Sequence, residues 1–166
     1  MPVRYISVPA AQIPKMLAEA RGRVRFAQVI SSGFAEVDEG KALQEDLVTA
    51  ARAGGCRMLG PNCLGMYSPR GRLTFIEDGS EEVGSIGVIS QRGGLGTDIV
   101  RRGQVRGLRF SGVVTVGNSA DLGPNDLLEF YLADPQTRSC IAGRAVRCSA
   151  IYRAIARPHE RGSVQL

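Results

Sequence analysis

Two glycine-rich junctions, each following a short apolar run, constrain the fold of this chain most strongly. The sequence GPNCLG at residues 60–65 follows the run 56–59, and residues 86–95 (IGVISQRGGL) lead from an apolar run through two glycines into a helical pattern. Glycine, proline and asparagine spaced this closely indicate tight turns rather than linkers. Open α/β sheets bind ligands at the carboxyl edge of their strands, so the junctions predict two α/β units with ligand-facing loops.

Apolar periodicity extends this pattern along the chain. Strands are predicted at residues 3–8, 24–30, 56–59, 85–90 and 110–116, and helices at residues 10–21, 38–53, 94–106 and from Pro124 onward. Strands that alternate with helices at this spacing predict parallel sheets with right-handed crossovers. The predicted fold class is therefore α/β.

Residues 66–84 interrupt the alternation with turn residues and an acidic run. We therefore predict a first domain at 1–68, a linker at 69–84, a second domain at 85–142 and an atypical arginine-rich tail at 143–166. The tail has two interpretations. It is a sequence foreign to the fold, as a frameshift would produce, or an amphipathic helix.

Charge and cysteine spacing exclude several classes of function. The net charge of +5 comes mostly from residues 143–166, which carry five arginines and one glutamate. Nucleic-acid binding is disfavoured, because it needs clustered cations with stacking aromatics. The four cysteines show no metal-ligand spacing with His159, so no metal site is predicted.

Two further predictions rest on patterns that the sequence lacks. No signal-peptide pattern opens the sequence, and no apolar run approaches the ~20 residues of a membrane span. We therefore predict a cytoplasmic protein without a membrane partner. A nicotinamide site is disfavoured because the sequence contains no GxGxxG fingerprint.

The second junction has the chemistry of an anion site. Glycines before a helix expose backbone N–H groups, and the helix dipole adds positive potential at that end. The predicted phosphate-binding residues are Ser90, Gln91, Arg92, Gly93 and Gly94. The alternative is a turn with only a structural role.

The order of the motifs is more specific than any one of them. The motifs are ISVP at 6–9, ISSGF at 30–34, LGPNCLG at 59–65, GVISQRG at 87–93, VGNSAD at 116–121 and LEFYLADPQT at 128–137. In this order they resemble the nucleotide-diphosphate-forming (NDP-forming) acyl-CoA synthetases, relatives of the succinyl-CoA ligase α subunit. The resemblance implies an incomplete Rossmann-type CoA-binding half followed by a flavodoxin-like succinyl-CoA-ligase-type half. Members of that family interconvert acyl-CoA, NDP and phosphate with acid, CoA and NTP through a phosphohistidine.

The resemblance also implies site residues. The positions matching the CoA-contacting segments are Val8, Pro9, Ser31, Ser32, Gly33, Asn62 and Cys63. Residues 91–94 match the helix N-terminus that receives the phosphohistidine. The alternatives are that residues 31–33 form only a turn before a helix and that Cys63 only packs.

Three departures from the family pattern weaken the prediction of activity. The family's glycine-rich CoA phosphate loop precedes the matched region, Arg92 stands where relatives usually have serine, and His159 lacks the context of the phosphorylated histidine. We therefore predict no catalytic residues, weak or residual CoA binding, and ATP or ADP binding only in a complete ligase.

The sequence leaves three functions open. The first is a ligase fragment that is inactive alone. The second is a non-catalytic module for CoA or a CoA thioester, completed by a partner subunit with an ATP-grasp domain or assembled as a homo-oligomer. The third is an unrelated nucleotide-binding α/β protein.

Overall fold

A computed structural model of the chain describes residues 3–143 and the short strand at 163–165. Two compact units are formed. Unit 1 contains the described residues up to Gly65 together with Val116–Gly123, and unit 2 contains Met66–Thr115 and the described residues from Pro124 onward. The elements in chain order are β1 (Val3–Ile6), α1 (Ile13–Glu19), β2 (Phe26–Val29), α2 (Lys41–Ala53), β3 (Arg57–Leu59), β4 (Met66–Tyr67), β5 (Ile86–Ser90), α3 (Gly93–Val105), β6 (Phe110–Thr115), α4 (Pro124–Ala133), β7 (Ser139–Gly143) and β8 (Ser163–Gln165).

Unit 1 is built on the parallel sheet β1-β2-β3. The helices α1 and α2 pack on each other, and their buried residues Leu17 and Leu47 join Val29 and Met58 of the sheet in one core. Short 3-10 turns at Ala10–Gln12 and Asp38–Gly40 lead into the two helices, which therefore start later than the periodicity predicts. The predicted α/β class with parallel strands is confirmed.

Unit 2 is built on a sheet with the order β4-β6-β5-β7-β8. Its neighbouring strands are parallel except for β4 and β6, which pair antiparallel through Met66 and Tyr67. The Tyr131 ring of α4 lies against Gly87 of β5, where an added Cβ would come within 2.8 Å of the ring. Glycine at position 87 therefore lets the helix approach the sheet closely.

The residues predicted as a linker are bound to unit 2. The Gln104 side chain accepts a hydrogen bond from the Ser80 N–H and donates one to the Asp78 carbonyl at 3.1 Å. Arg101 pairs with Asp78 at 2.9 Å, and Arg109 pairs with Glu82 at 2.6 Å. The sequence predicted only an exposed acidic connection here. Its partners, Arg101, Gln104 and Arg109, lie more than 20 residues farther along the chain, so the sequence does not reveal these contacts. Residues 66 and 67, which we predicted in the first domain, form β4 of unit 2.

The arginine-rich tail lies largely outside the described residues. Its described strand, β8, pairs parallel with β7, with Cys140 opposite Val164. Among the described helices, none combines the length and apolar character needed to cross a membrane.

Candidate functional site

Three loops meet at the carboxyl edge of the unit 1 sheet. They are residues 7–9 after β1, 30–33 after β2 and 60–63 after β3, because parallel strands end at the same edge. The Ser31 hydroxyl donates to the Val8 carbonyl at 2.6 Å. The Asn62 N–H donates to the Ser31 carbonyl at 3.0 Å. The fold thus connects three residues that the sequence predicted separately.

Most of the predicted CoA-contacting residues reach the surface. Pro9, Ser32, Gly33 and Asn62 are exposed, while Val8 and Ser31 are half-buried. These six positions therefore offer a surface that a ligand can contact.

Cys63 is the exception. Its side chain is buried, and its thiol donates to the Val29 carbonyl at 3.4 Å. Burial raises the pKa of Cys63 to about 12, so the thiol stays protonated near neutral pH. Contact between Cys63 and a cofactor stays a prediction, and the buried environment favours the alternative that Cys63 only packs.

The turn after β3 depends on its glycine and asparagine. Gly60 has φ of +98°, and an added Cβ would lie 2.5 Å from the Val29 carbonyl oxygen. Asn62 has φ of +55°, a conformation that asparagine tolerates better than most residues. The GPN sequence therefore fixes the backbone that presents the Asn62 side chain.

The loop Val116–Gly123 follows β6 but belongs to unit 1, whereas we predicted it in the second domain. The Asn118 N–H donates to the Pro61 carbonyl at 2.9 Å. The Asn118 side-chain nitrogen donates to Gln44 Oε1 at 3.0 Å and to Glu36 Oε2, and Asn62 Nδ2 donates to Asn118 Oδ1 at 3.3 Å. Glu36, Gln44 and Asn118 are the polar residues that the site prediction missed. The available signal was the motif VGNSAD, which contains Asn118 but does not reveal its partners.

Glu36 organises the loop after β2. Its Oε1 accepts hydrogen bonds from the Gly33 N–H and, at 3.1 Å, from the Phe34 N–H. Partial burial alone would raise the pKa of Glu36, but the hydrogen bonds from Asn118 and from these backbone N–H groups outweigh it. The pKa of Glu36 therefore lies below its ordinary value, and the carboxylate is charged at neutral pH.

The predicted phosphate turn lies in unit 2 between β5 and α3. Ser90 is fully buried, and its hydroxyl donates to the Arg92 carbonyl at 2.8 Å, so this side chain braces the turn. Arg92 is the extended residue before α3 and makes no side-chain capping hydrogen bond. Gln91, Arg92 and Gly94 are exposed, and Gly94 faces open space, since an added Cβ would meet nothing within 4 Å. The first N–H groups of α3 have no partner within the helix and can receive an anion.

Residues 83–143 match the family described as "Succinyl-CoA ligase like flavodoxin domain". Over 142 residues the chain is 40% identical to the α subunit of acetate–CoA ligase [ADP-forming] I from Pyrococcus furiosus. This alignment covers 82% of this chain and 30% of that protein. The chain therefore resembles the NDP-forming acyl-CoA synthetases over most of its length. It spans about 30% of the length of the acetate–CoA ligase α subunits that it matches.

Solved structures agree with this resemblance to the NDP-forming acyl-CoA synthetases. The apo form of Ca. Korarchaeum cryptofilum dinucleotide forming acetyl-coenzyme A synthetase 1 matches with a TM-score of 0.84 and 33% identity, over 99% of this chain and 37% of that chain. The same synthetase in complex with phosphate and ADP also matches with a TM-score of 0.84, over 36% of its length. The predicted family resemblance is confirmed.

Proposed function

We propose that the chain is part of an NDP-forming acid–CoA ligase, which interconverts acyl-CoA, NDP and phosphate with acid, CoA and NTP. The observation that carries the proposal is the 40% identity over 142 residues to an ADP-forming acetate–CoA ligase α subunit. The chain covers 30% of that subunit, so we expect it to have no turnover alone. The described residues contain no histidine that could carry a phosphoryl group.

Turnover assays test this proposal directly. The pure full chain is incubated with ATP, CoA and short carboxylic acids, and phosphate and thioester are measured. We expect no turnover above a protein-free blank. Turnover that depends on Ser90 or Gly93 would contradict the expectation, because it would assign a complete active centre to this chain.

A second candidate is a CoA-binding subunit that a partner completes, since the relative is itself named as an α subunit. Addition of a separate ATP-grasp subunit from an ADP-forming ligase distinguishes this candidate subunit from an inactive ligase segment. Turnover that appears only in the mixture supports the subunit. An inactive mixture supports the first proposal, in which the chain is a ligase segment that a separate ATP-grasp subunit cannot complete.

CoA is proposed to bind at the carboxyl edge of unit 1. The exposed residues Ser32, Gly33 and Asn62 offer polar contacts there, next to Val8 and Pro9. We expect weak binding, with Kd on the order of 1 mM, because short loops on one small sheet enclose little of a large ligand. The test is a CoA titration of the full chain followed by the amide NMR signals of residues 31–33. Ser32→Ala should weaken binding and the exposed helical control Thr49→Ala should not. A low-micromolar Kd would contradict the expectation that these short loops enclose little of the ligand.

Phosphate is proposed to bind at the start of α3. Arg92 adds a cation directly before Gly93 and Gly94, whose N–H groups have no acceptor within the helix, and guanidinium groups donate well to phosphate oxygens. We expect Arg92→Ser to weaken phosphate binding by roughly 0.5–2 kcal/mol, through loss of a charged donor. A serine at this position can also accept a first-turn N–H and so compete with the anion.

The measurement is a phosphate titration of the Gly93 and Gly94 amide signals. Arg102→Ser, in the last turn of the same helix, is the matched control and should leave the titration unchanged. Unchanged or tighter binding in Arg92→Ser would mean that Arg92 obstructs the turn.

A further inference from the structure

We propose that Glu36 is a positioning residue for the CoA-facing loop 30–33, and that Asn118 and Gln44 hold its carboxylate in place. This inference rests on the proposed binding of CoA at the loop. It assigns to these three side chains a role that the sequence motifs do not predict.

The first observation is how the loop is held. Gly33 has φ of +102°, a backbone conformation that few other residues adopt. Directly after it, Phe34 is fully buried in the core of unit 1 and anchors the end of the loop. Glu36 Oε1 accepts hydrogen bonds from the N–H groups of both Gly33 and Phe34. One carboxylate therefore fixes the direction of the residues that precede it.

The second observation is how the carboxylate is held. Glu36 Oε2 accepts one hydrogen of the Asn118 amide nitrogen, and Gln44 Oε1 accepts from the same nitrogen at 3.0 Å. Both N–H donors of that amide thus have an acceptor. Gln44 Oε1 also accepts the Ala35 N–H at 3.4 Å, so side chains occupy three successive backbone donors at residues 33–35.

Two simpler roles do not account for Glu36. It is not a helix cap, because its bonds go to residues before it and the 3-10 turn Asp38–Gly40 begins only after Val37. It is not half of an ion pair either, since none of the cations in the described residues forms a salt bridge with it. Charged acceptors make stronger hydrogen bonds than neutral ones, which suits a group that must hold a loop.

The arrangement also restricts the part of CoA that meets this loop. The N–H groups at 33–35 are already bonded and a negative carboxylate lies beside them, so they do not attract a phosphate. The exposed Ser32 side chain is left to contact the ligand. A neutral part of CoA, such as the adenine or an amide of the pantetheine arm, therefore suits Ser32 better than a phosphate does.

The test compares Glu36→Ala, Glu36→Gln and the control Glu39→Ala in the full chain. Glu39 is an exposed neighbouring carboxylate in the Asp38–Gly40 turn. Without CoA, we expect Glu36→Ala to speed amide hydrogen exchange at Gly33 and Phe34 by roughly tenfold, from the loss of charge-assisted bonds. Glu36→Gln keeps one acceptor oxygen and should restore much of the protection, while Glu39→Ala should match the wild type.

CoA titration is the second measurement, and we expect Glu36→Ala to weaken binding by roughly fivefold to tenfold. Unchanged hydrogen exchange at Gly33 and Phe34 in Glu36→Ala would overturn the inference, whether or not the affinity for CoA changes. Wild-type protein without any CoA response would instead refute the proposed CoA site, while the exchange rates still decide the role of Glu36. If Glu36→Ala does not fold, Asn118→Ala decides the question at the same two amides, with faster exchange expected and unchanged exchange overturning the inference.

Discussion

Replacement of Asp121 by alanine should destabilise unit 1 mainly through one buried backbone N–H. Asp121 Oδ2 accepts the Met58 N–H at 2.8 Å and pairs with Arg57 Nε at 3.0 Å. The Asp121 side chain is 7% exposed, whereas the Arg57 side chain is 54% exposed. The two interactions therefore lie in different environments and should differ in strength.

The magnitudes follow from those environments. An ion pair with one half-exposed partner contributes about 0.2–1 kcal/mol. A buried N–H left without an acceptor costs about 1–3 kcal/mol. We therefore expect Asp121→Ala to lower the free energy of unfolding by about 2–3 kcal/mol, and Arg57→Ala to lower it by less than about 1 kcal/mol.

Urea denaturation of the full chain, followed by far-UV circular dichroism, measures both values. Asp121→Asn keeps an oxygen that can accept the Met58 N–H, so it should retain most of the stability that alanine loses. Equal losses for Asp121→Ala and Arg57→Ala would refute the reasoning, because the ion pair would then dominate the buried hydrogen bond.

Three further outcomes are expected. Gly87→Ala should cost about 1–3 kcal/mol of stability, because the new Cβ would lie 2.8 Å from the buried Tyr131 ring. Gly94→Ala should be neutral or slightly stabilising, because its new Cβ would meet nothing within 4 Å. Equal effects of the two substitutions in urea denaturation would contradict this reasoning. Cys63 should resist alkylation in the folded protein at pH 8 and react only after unfolding, as mass spectrometry would show, because burial raises its pKa to about 12. Because the pKa of Glu36 is lowered in the folded state, its contribution to stability is present above the ordinary glutamate pKa and is lost as the pH falls through the folded-state pKa. Glu36→Gln should therefore weaken the dependence of unfolding on acid pH. An unchanged dependence would contradict the lowered pKa of Glu36.

The sequence predicted the elements that carry their own local signal. The helix Lys41–Ala53 has a clear apolar face, and Gly54 and Gly55 mark its end, so its position follows from neighbouring residues alone. The parallel strand order of unit 1 follows from alternating strands and helices. Strands without such a signal were missed, because Met66–Tyr67 and Ser139–Gly143 are recognisable as strands only beside β6 and β5.

The features of the candidate sites also divide into those that the sequence predicts and those that depend on the tertiary structure. The sequence by itself determined the family resemblance, the glycine turns and the exposed loops at the strand ends, since those depend on residue order and local backbone preference. Only the tertiary structure decided that Cys63 packs, that residues 69–84 are held by Gln104 and Arg101, and that Asn118 joins Glu36. The reason is physical, because burial and side-chain hydrogen bonds depend on distances across the fold between residues that lie far apart in the chain.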